Sequence, residues 1–420
     1  MSDPETRRER LTILAVYPWP DFWSMGEGSG APSFHLSVTA FPAHGHEMHV
    51  LLPGSPHGPA EEHYDGVRLH RMRTRVNFYP EVGLGSAFQH VAILFAYLWW
   101  LALSVPAAFR LAARLRPDVV IGMGSLGAPV ARAVGRARGV PNVTRLFGTE
   151  LGTVRGDRLR FALRYRDVAA YRTGASYIVA CNDGSGSDEV ARSLGVDVAR
   201  FRHWYNGVDK RRYMNAAGGG AVRRRFGIPE SNLVVLSVSR LHREKRVDRL
   251  LRAAPGVLER VPDTTFLIVG GGEEEAALRA AAGKLGVLEN VVFTGALSRD
   301  ELPDVYASAD VFVTLSDRTN VLNPLHEAMI AGVAVVALDT GGTSEIVRDG
   351  ETGVLVGLDD LPDLPRVLAD LLSDRELRSA LGAAARESAD KRLPTFEERQ
   401  AMEVEIVERA VREHESARAV

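Results

Sequence analysis

One cysteine, Cys181, stands in 420 residues, so no internal disulfide can form and no multi-thiolate zinc or iron–sulfur site can be built. That usage suits a reducing cytoplasm, which is the expected location. No sign of charge predominates: 51 Lys and Arg face 53 Asp and Glu, a net charge of -2, and the basic field with which nucleic-acid binders attract phosphate backbones is missing. The start, Met1 to Arg10, is polar, and the apolar run behind it (Leu11 to Tyr17) is shorter than a signal-peptide core and carries no small-residue cleavage site. Also missing are a Gly-x4-Gly-Lys-Ser/Thr loop, a Gly-x-Ser-x-Gly elbow and any Asp-x-Asp pair. These absences argue against a P-loop nucleotide hydrolase, an α/β-hydrolase and a metal held by carboxylates across a diphosphate. His326-Glu327 is no zinc-protease signature, because position 330 is Ile330. The longest apolar stretch, Phe88 to Leu103, is broken only by Gln89 and His90. It falls short of the roughly 20 residues of a bilayer span and is soon followed by Pro106, so it reads as a buried core helix, with a membrane-touching surface as the second reading.

What is present is ordinary globular mass. Hydrophobic residues make up 45% and charged ones 25%, and at roughly 100–200 residues per domain the length predicts two to three domains. Short β-branched runs alternate with Ala/Leu/Arg-rich helical stretches, the pattern of βαβ units around a parallel sheet. In the first half the strands are expected at Leu11–Tyr17, His49–Leu52, Asp118–Met123, Asn142–Leu146 and Tyr177–Cys181; in the second at Leu233–Ser239, Thr265–Gly270, Val291–Thr294, Val311–Thr314 and Val333–Ala337. The pattern therefore occurs twice, and the break lies near Asn206–Ala217, with Gly218-Gly219-Gly220 read as a flexible patch. The fold class expected is α/β: two doubly wound Rossmann-like domains, 1–205 and 206–393, facing a central cleft, with 394–420 a terminal helix packing across both. Ligands of such sheets bind beyond the carboxyl ends of the strands.

Several strand-end loops could carry chemistry. Gly26-Glu27-Gly28-Ser29-Gly30 follows the first strand, and its glycines let backbone amides approach an anion. Gly122-x-Gly124-x-x-Gly127 matches a dinucleotide fingerprint, but the next strand has no ribose-binding acid at its end, and the competing reading is close packing of a helix on a strand. The strand ending at Ser239 runs into Arg240-Leu241-His242-Arg243-Glu244-Lys245-Arg246. Five cations or potential cations at a strand's carboxyl end make a clamp for a diphosphate. In Asn320-Val321-Leu322-Asn323-Pro324, Asn323 reads as the N-cap of a helix whose first turns hold Glu327.

Arg240-x4-Lys245, Gly270-Gly271-Gly272-Glu273, Phe293-x-Gly295, Tyr306-Ala307-Ser308-Ala309-Asp310, the run Glu327 to Ala337 and Gly341-Gly342-x-x-Glu345 together resemble retaining GT-B glycosyltransferases of family 4. The first half is similar more loosely, through Gly45-His46-Glu47, Arg116-Pro117-Asp118-Val119 and Asn206-Gly207-Val208-Asp209. The resemblance implies transfer of a sugar from a nucleotide diphosphate donor, UDP or GDP, to a small-molecule acceptor bound mainly by the first domain, with no metal and no other cofactor. It assigns Arg240, Lys245 and Glu327 as the catalytic set. The diphosphate falls to Arg240 and Lys245 with Gly28, Ser29 and Gly30; the nucleoside to Gly271, Ala296, Leu297 and Glu327; and the donor sugar to Phe147, Gly148, Glu150, Thr319, Asn320, Val321, Leu322 and Asn323.

Two departures stand out. Thr319 occupies the place of a carboxylate eight residues before Glu327, and Phe147 replaces a polar ring in Phe147-Gly148-Thr149-Glu150. Both remove polar partners for a sugar, so the donor is expected to be deoxygenated or otherwise unusual, as in natural-product biosynthesis. With no carboxylate pair spaced for double displacement, retention is expected by attack on the same face, the leaving phosphate taking the acceptor's proton. Two other functions compete: an NAD-dependent oxidoreductase built on the Gly122 fingerprint, and a catalytically silent nucleotide-sugar-binding protein.

Overall fold

The computed structural model describes residues 10–19, 32–54, 61–73, 87–154 and 156–419; the Gly28-Ser29-Gly30 loop lies outside them. Two sheets organise the chain. The first comprises β1 (Thr12–Val16), β2 (Glu47–Leu52), β3 (Glu61–Tyr64), β4 (Val67–Arg71), β5 (Val119–Met123), β6 (Asn142–Leu146), β7 (Tyr177–Cys181) and β8 (Phe201–Trp204). Its order is β3-β4-β2-β1-β5-β6-β7-β8, parallel except for β3 against β4. The second comprises β9 (Leu233–Val238), β10 (Thr264–Val269), β11 (Val291–Gly295), β12 (Val311–Thr314), β13 (Ala334–Leu338) and β14 (Val354–Val356), in the order β11-β10-β9-β12-β13-β14.

Sequence patterning explains which strands sit where. β5, β6, β7 and β13 are buried along their whole length, as strands covered by helices on both faces must be. Two strands without an apolar run lie at the sheet edges: β3 reads Glu61-Glu62-His63-Tyr64 with alternating exposure, and β8 is only half-buried. Charged side chains of this kind blunt a sheet edge.

The glycines of the Gly122 fingerprint have a packing role. A Cβ at Gly122 would lie 2.5 Å from Ala128 Cα and one at Gly127 2.4 Å from the Val16 carbonyl oxygen. They let helix α3 (Gly124–Arg138) lie directly on β1 and β5, which is the close-packing reading. Nor is Gly218-Gly219-Gly220 a flexible patch: Gly218 N donates to Asp304 Oδ1 at 2.9 Å, and the next two glycines open the helix Gly219–Arg225.

The terminal helix, Phe396–Ala419, buries Val404, Ile406, Val407, Ala410 and Val411 in the core of the first domain. Its polar anchors point the same way. Glu403 Oε1 receives Arg145 Nε at 2.8 Å and lies 2.7 Å from Arg399 Nη2, all three side chains being buried. Burial alone would raise the Glu403 pKa, but the two guanidinium groups overcome it and hold the carboxyl below its usual range. The start of the helix also meets the second domain, where Arg299 stacks over Phe396 at 4.9 Å.

Candidate active site

In each sheet the strand order reverses at one place. The first runs outward from β1 through β2 and, on the other side, from β5 to β8; the second runs from β9 to β11 and from β12 to β14. The crevices beyond β1/β5 and β9/β12 are where loops diverge and a ligand can enter. Both open onto one cavity of about 810 Å³, lined by Trp19, Gly124 and Ser125 from the first switch point and by Glu244, Lys245 and Ser316 to Thr319 from the second.

On the second-domain side, the basic run sorts itself by partner. His242 lies 3.3 Å from Glu273, and Arg246 pairs with Asp248 at 2.9 Å and Asp317 at 3.1 Å. Arg243 faces a separate shallow pocket. Arg240 and Lys245 remain, neither with a side-chain ion pair among the described residues. Lys245 lines the main cavity. Burial, and then the charge of Arg240, push its pKa down. A half-buried ammonium without a carboxylate is costly unless an anion joins it, which makes this the anion-seeking point of the cavity.

Opposite stand groups from the first domain. Asp183, in the loop after β7, accepts from Ser185 N at 3.1 Å and Ser185 Oγ at 2.5 Å; burial raises its pKa against those bonds. Asp167 is raised by burial in the same way, opposed by Ser125. Glu150 is paired with Arg164 and, at 3.3 Å, with Arg318, which also reaches Glu244 at 3.3 Å. Arg318 thus ties the two halves across the cavity.

A second tie is made by backbone. Thr319 Oγ1 donates to the Asp183 carbonyl at 2.5 Å and Gly342 N to the Gly184 carbonyl at 2.9 Å. Gly184, at φ 73°, permits this approach, because a Cβ there would sit 2.6 Å from Thr319 Oγ1.

Of the expected sugar-side residues, Phe147, Gly148, Glu150, Thr319 and Leu322 line the cavity. Asn320, Val321 and Asn323 do not. Asn320 is buried as a brace, its Oδ1 accepting from Thr314 Oγ1 (2.8 Å) and Ser316 N (2.9 Å) while its Nδ2 donates to the Leu338 carbonyl (2.8 Å). Val321 packs in the second-domain core. Asn323 caps nothing: the helix Asn323–Ala331 has Leu322 as its N-cap, and Asn323 Oδ1 accepts from Asn206 Nδ2 at 3.1 Å. Glu327 stands behind the cavity wall, 5% exposed, with Tyr306 Oη donating to its Oε2 at 3.1 Å and burial raising its pKa. Gly271, Ala296 and Leu297 are neighbours of one another but border no part of the main cavity; the Gly271 carbonyl receives Leu241 N at 2.9 Å.

Sequence reasoning missed Asp183, Asp167 and Arg318. Asp183 had a signal in its position two residues beyond the carboxyl end of a buried strand, in Asn182-Asp183-Gly184. Arg318 had none, because its partners come from two distant loops.

Residues 35–212 match the family model Glycosyltransferase Family 4, and residues 221–388 match Glycosyl transferases group 1. A GDP-mannose-dependent alpha-mannosyltransferase of Mycobacterium tuberculosis is 31% identical over 360 residues, 81% of this chain and 82% of its own. A GDP-mannose-dependent alpha-(1-6)-phosphatidylinositol monomannoside mannosyltransferase of Mycolicibacterium smegmatis is 39% identical over 196 residues, 45% of this chain and 51% of its own. Among solved structures, a sucrose-phosphate synthase from Thermosynechococcus elongatus has the same fold, with a TM-score of 0.72 at 18% identity over 94% of this chain and 97% of its own. With a family model on each half and a relative aligned through both, the chain belongs to the group 1 glycosyltransferases of family 4, a GT-B enzyme that takes its sugar from a nucleotide donor.

Proposed function

We propose that this enzyme moves a mannosyl group from GDP-mannose, with retention, to a hydroxyl of a glycosylated lipid head group held by the first domain. The observation that carries the reading is Lys245, a half-buried cation lining the interdomain cavity beside Arg240 with no carboxylate of its own. The GDP-mannose requirement named for the two relatives supports the choice of donor.

In the reaction the bond between the sugar's anomeric carbon and the β-phosphate oxygen breaks, and a bond from the same carbon to the acceptor oxygen forms on the same face. The acceptor proton passes to the departing phosphate. Positive charge develops on the sugar and negative charge on the diphosphate, so Lys245 and Arg240 stabilise the leaving group more in the transition state than in the ground state. These cations are proposed to do so without a divalent metal. Asp183 and Glu150 are proposed to face the sugar, and Glu327 to exchange Tyr306 for the ribose hydroxyls when the nucleotide binds.

The expectation of a deoxygenated donor rested on a loss of polar partners at Phe147 and Thr319. Asp183, Glu150 and Arg318 line the same cavity, so polar partners for an ordinary hexose are at hand, and the premise for an unusual sugar and a natural-product pathway weakens. The site of action is proposed to be the cytoplasmic side of a membrane.

A donor panel tests this reading. With a phosphatidylinositol mannoside acceptor, GDP release followed by mass spectrometry should be fastest with GDP-mannose, persist in EDTA, and give an α-anomer by NMR. Faster turnover of UDP-glucose or a deoxy sugar nucleotide would overturn the donor assignment, and a β-anomer the mechanism.

A further inference from the structure

Helix α2 (Ala87–Leu115) contains no Asp or Glu, and its segment His90–Leu115 is long and apolar enough to cross a membrane, with a mean hydropathy of 1.9 over its most apolar 18 residues. One side of the helix is held by the first domain. Trp100 is fully buried and its indole N–H donates to the Leu126 carbonyl at 2.8 Å; Ser104, Ala108, Leu111 and Ala112 follow it on the same buried side. Tyr97 packs edge-on against Tyr165 at 5.7 Å. One side of α2 is therefore part of the first-domain core.

The other side is as apolar but faces outward. Val91, Leu94, Phe95, Leu98 and Trp99 recur at helical spacing, and Phe95 is 67% and Trp99 52% exposed. These five cover two turns, about 12 Å of helix. The line continues through exposed Ala102 and Pro106 to exposed Arg110. Arg114, exposed beside it, is only loosely paired with Glu61 at 3.8 Å, and Arg138 on α3 donates to the Phe109 carbonyl at 3.3 Å. Clustered apolar exposure of this size is uncommon on a monomer surface. An apolar stripe with Trp and Phe, continued by arginines and free of acids along its own helix, has the composition of a helix lying in a membrane interface.

We infer that the outer stripe of α2 seats the first domain on an anionic lipid bilayer, the helix lying in the membrane plane with Phe95 and Trp99 inserted and Arg110, Arg114 and Arg138 on lipid phosphates. The helix that carries the stripe is linked to the cleft through Tyr97. Tyr97 touches Tyr165 at the start of α5 (Tyr165–Tyr171), and the flanking Arg164 and Arg166 line the main cavity. Leu159 on α4 (Arg158–Leu163), the helix before α5, is also exposed. A lipid acceptor could then be drawn from the same leaflet. This last step rests on the proposed acceptor; the docking itself does not.

The test is co-sedimentation of the full chain with vesicles of phosphatidylcholine alone or mixed with phosphatidylglycerol, beside turnover of GDP-mannose with a short-chain, water-soluble acceptor. The wild type should pellet with the mixed vesicles, less so in high salt and far less with phosphatidylcholine alone. Phe95→Ser with Trp99→Ser should weaken vesicle binding at least tenfold while soluble turnover and melting temperature hold, and Arg110→Glu with Arg114→Glu should remove the preference for anionic lipid. Wild-type protein that stays in the supernatant, or a Ser variant that pellets as before, would overturn the docking. So would a concentration-dependent dimer that the Ser variant makes monomeric, since the stripe would then be covered by a second copy. Absent turnover with retained vesicle binding would instead count against the mannosyltransferase reading alone.

Discussion

The two domains share an architecture and divide the labour unequally. The second presents to the cavity a cation, Lys245, with no ion pair among the described residues, and braces its surroundings with side chains such as Asn320. The first carries the carboxylates Asp183, Asp167 and Glu150, an apolar outer helix, and a buried ion cluster that clamps the terminal helix to it. A leaving diphosphate is common to every sugar transfer from a nucleoside diphosphate donor, whereas acceptors differ, so on the proposed reading the half that meets the diphosphate can be built from a fixed pattern while the acceptor half varies.

That division can be broken at four points. The largest effect is expected at the clamp of the first domain. Glu403→Ala leaves Arg145 and Arg399 buried without their shared carboxylate and should cost about 3–5 kcal/mol, read as a drop in the denaturant midpoint; a loss under about 1 kcal/mol would mean that the terminal helix is held by its apolar face alone. In the second domain Lys245→Ala should lower kcat/KM by about a hundred- to a thousandfold, the 2.7–4 kcal/mol typical of a lost transition-state contact, yet leave the melting temperature unchanged or higher, because an unpaired half-buried charge has gone. A fall in both would make Lys245 structural.

The third is a pH effect. His326 is buried with neither ring nitrogen hydrogen-bonded, and burial pushes its pKa down to about 3. Because the folded state refuses a proton that the unfolded chain takes up below about pH 6.5, this group's contribution is intact above that pH and is lost progressively as the pH falls toward 3, by up to about 1.4 kcal/mol per pH unit. His49 and His70, stacked in the first domain with their ring nitrogens 2.8 Å apart, are lowered by burial and act in the same direction. Melting scans from pH 7 to 5 should show the fall, and His326→Phe should flatten it; an equally steep curve would remove His326 from the account. The smallest effect is expected where the halves meet. Thr319→Val loses the bond to the Asp183 carbonyl, worth about 1 kcal/mol, and should raise the donor KM about fivefold with kcat little changed. A large kcat loss would instead make the Thr319 hydroxyl a participant in the chemistry.

The same asymmetry decides what the sequence could reveal. Tyr177–Cys181 and Val311–Thr314 are found at their expected limits, because strands buried on both faces are near-continuous apolar runs; Asn142–Leu146 is found at its limits too, although Asn142, Thr144 and Arg145 interrupt its run. β3, β4, β8 and β14 escaped, being short or polar-edged. Lys245 was legible because a strand-end loop is a local pattern. The brace at Asn320 was not, since its partners at 314, 316 and 338 are supplied by the fold. The stretch from Phe88 to Leu103 misled for another reason: both sides of α2 are apolar, so no periodicity separates the side that packs on α3 from the side that faces outward.

The central claim is that a departing diphosphate is met by Lys245 and Arg240. A crystal structure with GDP-mannose or GDP tests it most directly. The account requires the phosphate oxygens to lie at hydrogen-bond distance, about 2.7–3.2 Å, from the Lys245 Nζ and the Arg240 guanidinium; a nucleotide seated elsewhere, with both heads turned to solvent, would contradict it.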